Sequence, residues 1–178
     1  MKTFQLQHQE HNISPVFNEK STILILGSFP SVLSRESAFF YGHPKNRFWQ
    51  VLATLFHVTL PMTIDEKKNL LFEHHIALWD VIASCEIKGS ADSTIQNIVP
   101  NDLNVILNFA KINTIYVNGK TAYMLYYKYI YPTIQKEAIL LPSTSPANAR
   151  YRLEQLCEEW KKIKENEYEY KTGLSTPS

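Results

Sequence analysis

The stretch TILILGSFPS, residues 22–31, decides how this chain is read. Thr22–Leu26 is a short, unbroken run of apolar and β-branched residues that stops at Gly27. A run of that length bounded by a glycine turn reads as a buried strand, and the Ser28-Phe29-Pro30 that follows reads as a loop at its end. Late in the chain the arrangement recurs in AILLPSTSPANAR, residues 138–150, where Ala138–Leu141 runs into serine, threonine, proline and asparagine. Polar loops at strand ends are where an open α/β sheet keeps its ligand site.

Between these two stretches, strand-like runs alternate with helical patterns. Phe48–Phe56 places Trp49, Leu52, Ala53 and Phe56 at helical spacing. Thr63 and Glu66 have capping-box spacing and open a helix to about His74. Ile76–Ile82 reads as a second strand, and Asp102 can cap a helix over Leu103–Phe109. Thr114–Val117 is a third strand, and Asn118-Gly119 turns into a helix over Lys120–Tyr129. A last helix is expected over Ala149–Lys164. Beyond it periodicity fades, which predicts one domain over 1–165 and a flexible tail over 166–178. Alternating elements predict an α/β protein with a parallel sheet covered on both faces. Right-handed crossovers would then gather Ser28–Ser31, Asp80, Asn118-Gly119 and Ser143–Arg150 on one rim.

Composition removes several classes of function. No apolar run approaches the ~20 residues of a membrane span, and the one early lysine has no apolar stretch behind it, so no secretory signal is expected. A cytoplasmic chain would keep Cys85 and Cys157 reduced. Those two cysteines lie far apart, and His74-His75 lacks a third ligand, so neither a metal nor another cofactor is expected. The net charge of +1 gives no bulk attraction to nucleic acid. Local cations remain: Lys45 and Arg47 flank Asn46, and Arg150 and Arg152 follow the second loop. They could hold phosphates or simply sit at helix starts.

The segment FFYGHPKNRFW, residues 39–49, sharpens the picture. Read alone, Asn46 caps the Phe48 helix, and His43 is a loop histidine. Together with residues 27–31 and 141–150, however, this segment resembles the motif loops of the uracil-DNA glycosylase superfamily. The likeness is to its hypoxanthine-DNA (deoxyinosine) glycosylase branch and spans about residues 15–165. It implies a three-layer α/β/α sandwich with a four-stranded parallel sheet of order 2-1-3-4. It also implies base excision repair: removal of deaminated bases from DNA, hypoxanthine first, with uracil and xanthine as further candidates. The expected partner is double-stranded DNA carrying such bases, with single-stranded DNA as a further form, and the expected state is a monomer.

Residue by residue, the resemblance assigns a base pocket to Gly27, Ser28, Phe29, Pro30, Phe40, Tyr41, Asp80 and Asn118. Phe29 occupies a slot where many superfamily members carry a catalytic Asn or Asp; the hypoxanthine branch shares that loss, which moves the catalytic amide to Asn46, with His43 as runner-up. One of Phe29, Phe40 and Tyr41 should stack on an extruded base, since a flipped base needs a flat surface in place of its lost neighbours. Asp80 would accept a hydrogen bond from the base's imino N–H; a loop cap or an ion pair with a lysine would equally account for it. Ser143, Thr144, Ser145, Pro146, Ala147 and Asn148 form the expected DNA insertion loop, a stiff wedge with neutral donors. Lys45, Arg47 and Arg150 are expected to contact DNA beside it. Two rivals stay open at this point: a non-catalytic nucleic-acid-binding module of the same fold, and a hydrolase of free nucleosides.

Overall fold

The computed structural model describes residues 5–89 and 91–166. Strand β1, Gln7–Glu10, comes first, followed by β2, Ile23–Gly27. Every residue of β2 is buried, so both faces of the strand are covered, as a central parallel strand requires. Ser31 caps α1, Val32–Ser37, by accepting the Ser34 N–H, and α2, Phe48–Leu55, follows. Helix α3, Ile64–Glu73, carries the full capping box of Thr63 and Glu66. Glu66 accepts the N–H groups of Met62 and Thr63, which hold its carboxyl below the usual carboxylate range.

The next apolar run splits. β3, Ile76–Asp80, and β4, Ile82–Ile87, belong to different sheets, so the expectation of one strand over Ile76–Ile82 is corrected. The break falls at Val81, whose N–H turns to the Gly27 carbonyl (2.8 Å). After a 3-10 turn at Asp92–Thr94 come β5, Gln96–Pro100, and a short α4, Asn104–Leu107. Asp102 accepts the Asn104 N–H (3.0 Å), but the helix it starts stops two residues before Phe109. Then come β6, Thr114–Asn118; α5, Lys120–Tyr129; α6, Tyr131–Ile134; and β7, Ala138–Leu141. The last helix, α7, Leu153–Trp160, starts later than Ala149, because residues up to Arg152 are tied into the loop after β7. Residues 162–166 are again helical, and the rest of the expected tail, 167–178, lies outside the described residues.

Strands β2, β3, β6 and β7 form a parallel sheet in the order β3-β2-β6-β7. Counted along the chain within that sheet, this is the expected 2-1-3-4, and the helices complete the α/β/α sandwich. Phe48 of α2 meets Trp160 of α7 edge to face over the core (5.8 Å). The unexpected part is a second, antiparallel sheet in the order β1-β4-β5. Strand β1 is polar and largely exposed, and β5, although it holds Ile98, Val99 and Pro100, is largely exposed too and shows no apolar alternation in the sequence. The segment after β1 then runs along the outer edge of β3, where Val16 and Leu78 exchange both backbone hydrogen bonds (2.9 Å each).

Candidate active site

The C-terminal ends of the parallel strands lie in one row. Gly27 pairs with Asp80 across β2 and β3, and Asn118 with Leu141 across β6 and β7. Over this row opens a cavity of about 560 Å³, within the range of small-molecule pockets. Gly27, Ser28, Phe29 and Pro30 border it from the loop after β2, with Phe40, Tyr41, Asp80 and Asn118 around them. His43 and Asn46 border it too, and the loop after β7 closes it from Ser143 to Ala147. Ile87, Ala91 and Ser93 add a wall from β4 and the turn beyond it, which the sequence did not announce. Gly27 must be glycine, because a side-chain carbon there would collide with the Asp80 carboxylate and touch the Tyr41 hydroxyl (3.0 Å).

Thr144 locks the two motif loops to each other. Its side chain is fully buried. The hydroxyl donates to Asn46 Oδ1 (2.9 Å) and accepts from Asn118 Nδ2 (3.0 Å), while the Thr144 N–H donates to Asn118 Oδ1 (3.1 Å). Asn46 Oδ1 also accepts the Phe48 N–H (3.0 Å), so the helix-capping reading holds. A backbone N–H needs an oxygen opposite it, which fixes which way the amide points. Oδ1 is therefore committed to the protein, and among the described residues Nδ2 has no hydrogen-bond partner. His43 Nδ1 accepts the Lys45 N–H (3.0 Å), which leaves the proton of the neutral ring on Nε2.

Two expected DNA contacts are corrected by this geometry. The Thr144 hydroxyl is spent inside the protein and presents nothing to solvent. The Arg47 guanidinium donates to the backbone carbonyls of Ser145 (3.0 Å), Asn148 (3.1 Å) and Tyr151. It lies inside the curl of the second loop and braces it, so it is a strut rather than a phosphate ligand. Asn148 turns its amide back to the Ser143 carbonyl (3.0 Å). Ser143 and Ser145 accept loop N–H groups, from Ser145 (3.1 Å) and Ala147 (3.2 Å), so their own protons remain to be donated. Pro146, Ala147, Lys45 and Arg150 are exposed. Among the described residues no lysine borders the cavity.

The aromatic rings sort themselves by packing. Phe40 is 2% exposed, wedged against Phe39 (5.7 Å) and His11 (6.1 Å). Tyr41 lies flat on Phe48, with centroids 4.0 Å apart and planes at 17°. Its backbone sits at φ 53°, a left-handed conformation uncommon for an aromatic residue. Its hydroxyl is buried and completes no hydrogen bond, although the Asn118 amide stands close. Burial and the neighbouring Asp80 charge push that phenol well above its ordinary range, so it stays protonated. Phe29 and Tyr41 are both partly buried, but a face of Tyr41 is already taken by Phe48, whereas Phe29 has the Arg35 guanidinium 5.2 Å from its ring centroid.

One site residue escaped the sequence reading altogether. Asp80 is held neither by a lysine nor as a loop cap; its Oδ2 lies 2.8 Å from His11 Nε2, with both side chains almost wholly buried (His11 3% and Asp80 5% exposed). His11 sits just past β1, anchored by its N–H on the Ala83 carbonyl (2.7 Å). The second of two histidines in the polar stretch QHQEHN, residues 7–12, carries no signal in sequence, because only the pairing of β1 with β4 brings it to the rim.

The chain belongs to the uracil DNA glycosylase superfamily, whose family model matches residues 14–166. Among curated relatives, the hypoxanthine DNA glycosylase of Methanosarcina acetivorans is 35% identical over 138 residues, 76% of this chain and 86% of that protein. That of Methanosarcina barkeri is 30% identical over 144 residues, 80% of this chain and 90% of that protein. The solution NMR structure of a candidate uracil DNA glycosylase from Methanosarcina acetivorans superimposes with a TM-score of 0.73 at 29% identity, covering 89% of this chain and 99% of that one. His11 lies outside the matched stretch. Among the described residues no group of three or more His, Cys, Asp or Glu is gathered for a metal, and no helix is long and apolar enough to cross a membrane.

Proposed function

We propose that this chain is a monofunctional DNA glycosylase that hydrolyses the N-glycosidic bond of deaminated bases, hypoxanthine first, with uracil and xanthine as further substrates. The observation that carries the reading is the meeting, on one cavity, of the Asn46 amide, the Asp80 carboxylate and the exposed Pro146-Ala147 tip. Such a site can hold a flipped base while an apolar wedge fills the gap it leaves in the duplex. Phe29 is the ring with surface left to stack on the base. Lys45, Arg150 and the free protons of Ser143 and Ser145 grip the backbone of double-stranded DNA. On this reading the protein works as a monomer in the cytoplasm, without metal or cofactor.

In the reaction the C1′–N bond breaks with its electron pair going to the base, and water adds to the oxocarbenium-like sugar. The proton shed by the water balances the one the departing base takes up. Asn46 offers a donor and no acceptor, so it positions the water through one oxygen lone pair and leaves the other for C1′. That suits a transition state in which the bond is largely broken before water adds. His43 Nε2–H and the backbone donors of residues 27–29 stabilise charge growing on the base, the kind of preorganised contribution that dominates such sites. A strand-cleaving lyase would need a lysine amine at the anomeric carbon, and none of the described residues bordering the cavity is a lysine. The test is incision of duplexes carrying inosine, uracil or xanthine, in excess chelator, with alkali added to reveal abasic sites. Release from free nucleosides instead would favour a nucleoside hydrolase, and binding without release a non-catalytic module.

A further inference from the structure

Among the described residues His11 is the one side chain hydrogen-bonded to Asp80, and its proton is fixed. His11 Nδ1 accepts the Ile13 N–H (3.2 Å), so the neutral ring carries its hydrogen on Nε2 and donates it to Asp80 Oδ2 at 2.8 Å. Phe29 and Trp79 meet the imidazole edge to face (6.0 and 6.3 Å), and Phe40 meets it tilted (6.1 Å), which leaves the ring no room to turn. Pinned through Oδ2, the carboxylate sets Oδ1 against the bare backbone of Gly27, beside the cavity.

We infer that His11 is a specificity-determining positioning residue: it holds Asp80 as an oriented hydrogen-bond acceptor, and the pair reads the lactam N–H of a base. This inference rests on the reading of Asp80 as a contact to the base. Hypoxanthine and xanthine carry that N–H at N1 and uracil at N3. Adenine and cytosine present an unprotonated nitrogen at the same place, whose lone pair faces a fixed carboxylate unfavourably. One acceptor thus separates hypoxanthine from adenine and uracil from cytosine, though not xanthine from guanine. Guanine and thymine share the lactam edge, and their normal pairing resists extrusion. The second sheet gains a purpose here, since β1 and β4 together deliver His11 to the rim of the first.

Removing the donor frees Asp80 to rotate and leaves a buried carboxylate oxygen without the hydrogen bond that held it, so the acceptor no longer stands fixed against the unprotonated nitrogen of adenine. The experiment is single-turnover excision from inosine and adenine duplexes by the wild type, His11→Leu, His11→Gln, Asp80→Asn and the Leu/Asn double variant. Circular dichroism and thermal unfolding establish that each is folded at the assay temperature. His11→Leu should lose about ten- to hundredfold on hypoxanthine, as expected for a lost hydrogen bond to a charged group, and its preference for hypoxanthine over adenine should narrow. His11→Gln, whose amide can reach the same oxygen, should recover to within about threefold. In the Asp80→Asn background His11→Leu should add almost nothing, because both changes break one unit. A fully additive double variant, a Gln variant no better than Leu, or an unchanged base preference in His11→Leu would overturn the inference while leaving the reading of Asp80 intact. Asp80→Asn with undiminished excision would overturn that reading and the inference with it. A wild type that releases no deaminated base overturns the proposed function itself.

Discussion

Replacing Thr144 with valine removes one oxygen from the point where the two motif loops meet and keeps the shape. The wild-type hydroxyl makes two hydrogen bonds at 2.9 and 3.0 Å, to Asn46 Oδ1 and from Asn118 Nδ2, inside a fully buried side chain. Each such bond contributes about 1–1.5 kcal/mol, so the combined loss is about 2–3 kcal/mol. In a chain of this size that lowers Tm by roughly 5–10 °C. The Asn46 amide keeps only the Phe48 N–H and can swing, so excision of hypoxanthine should fall about tenfold or more even well below the new Tm, as misplacement of a positioning group implies. Thr144→Ser keeps the hydroxyl and should retain most of both properties. The assay is thermal unfolding paired with single-turnover cleavage at low temperature. A valine variant as stable as the wild type would refute the hydrogen-bond arithmetic, and one that melts early yet cleaves at full rate would refute the idea that Thr144 aims Asn46.

The other expectations are brief. Asn46→Ala should lower single-turnover excision by about tenfold or more with little change in DNA affinity, and destabilise by only ~1 kcal/mol as a lost cap does; normal cleavage at low temperature would make Asn46 purely structural. Arg150→Ala should weaken binding to all sequences and flatten the salt dependence by about one unit, whereas Arg47→Ala should lower Tm and leave the salt slope unchanged, which filter-binding titrations and melting curves can separate. Tyr41→Phe deletes a buried hydroxyl that completes no hydrogen bond and keeps the stack on Phe48. Its Tm should hold or rise, by up to about 1 kcal/mol in stability; a clear fall would mean that the hydroxyl is satisfied in solution.

What the sequence made legible follows from how each element is stabilised. β2 and β3 are buried on both faces, so their residues had to form continuous apolar runs, and such runs are visible. The capping box at Thr63 and the glycine turn before α5 are local chemistry and were equally plain. The sheet β1-β4-β5 was hidden because its outer strands are largely exposed and lack apolar alternation and its central strand continues β3 with one intervening residue. Nothing short of the tertiary pairing distinguishes Val81 as a corner. At the site, the residues bordering the cavity were readable because they lie in loops whose composition is unusual. The struts were not: whether Arg47 faces a phosphate or three carbonyls depends on where a loop a hundred residues away comes to rest.

The same distinction bears on how the cavity is built. Thr144 is fully buried and Arg47 only partly exposed, so neither presents its polar group freely to a substrate, yet between them they tie the loop after β7 to the start of α2 at five points. That coupling makes the grip on DNA and the placement of Asn46 parts of one rigid piece. A loop that bends when its Pro146-Ala147 tip enters a duplex would transmit the strain to the Asn46 amide through the Thr144 hydroxyl. Binding energy collected at the tip can therefore be spent on holding the amide in place, which is how contacts remote from the scissile bond come to accelerate it. His11 serves the opposite wall in the same manner, fixing Asp80 from a strand that borders no part of the cavity. Each of the two groups assigned to chemistry is thus aimed by a buried partner, and the precision of the site depends on those partners as much as on Asn46 and Asp80 themselves.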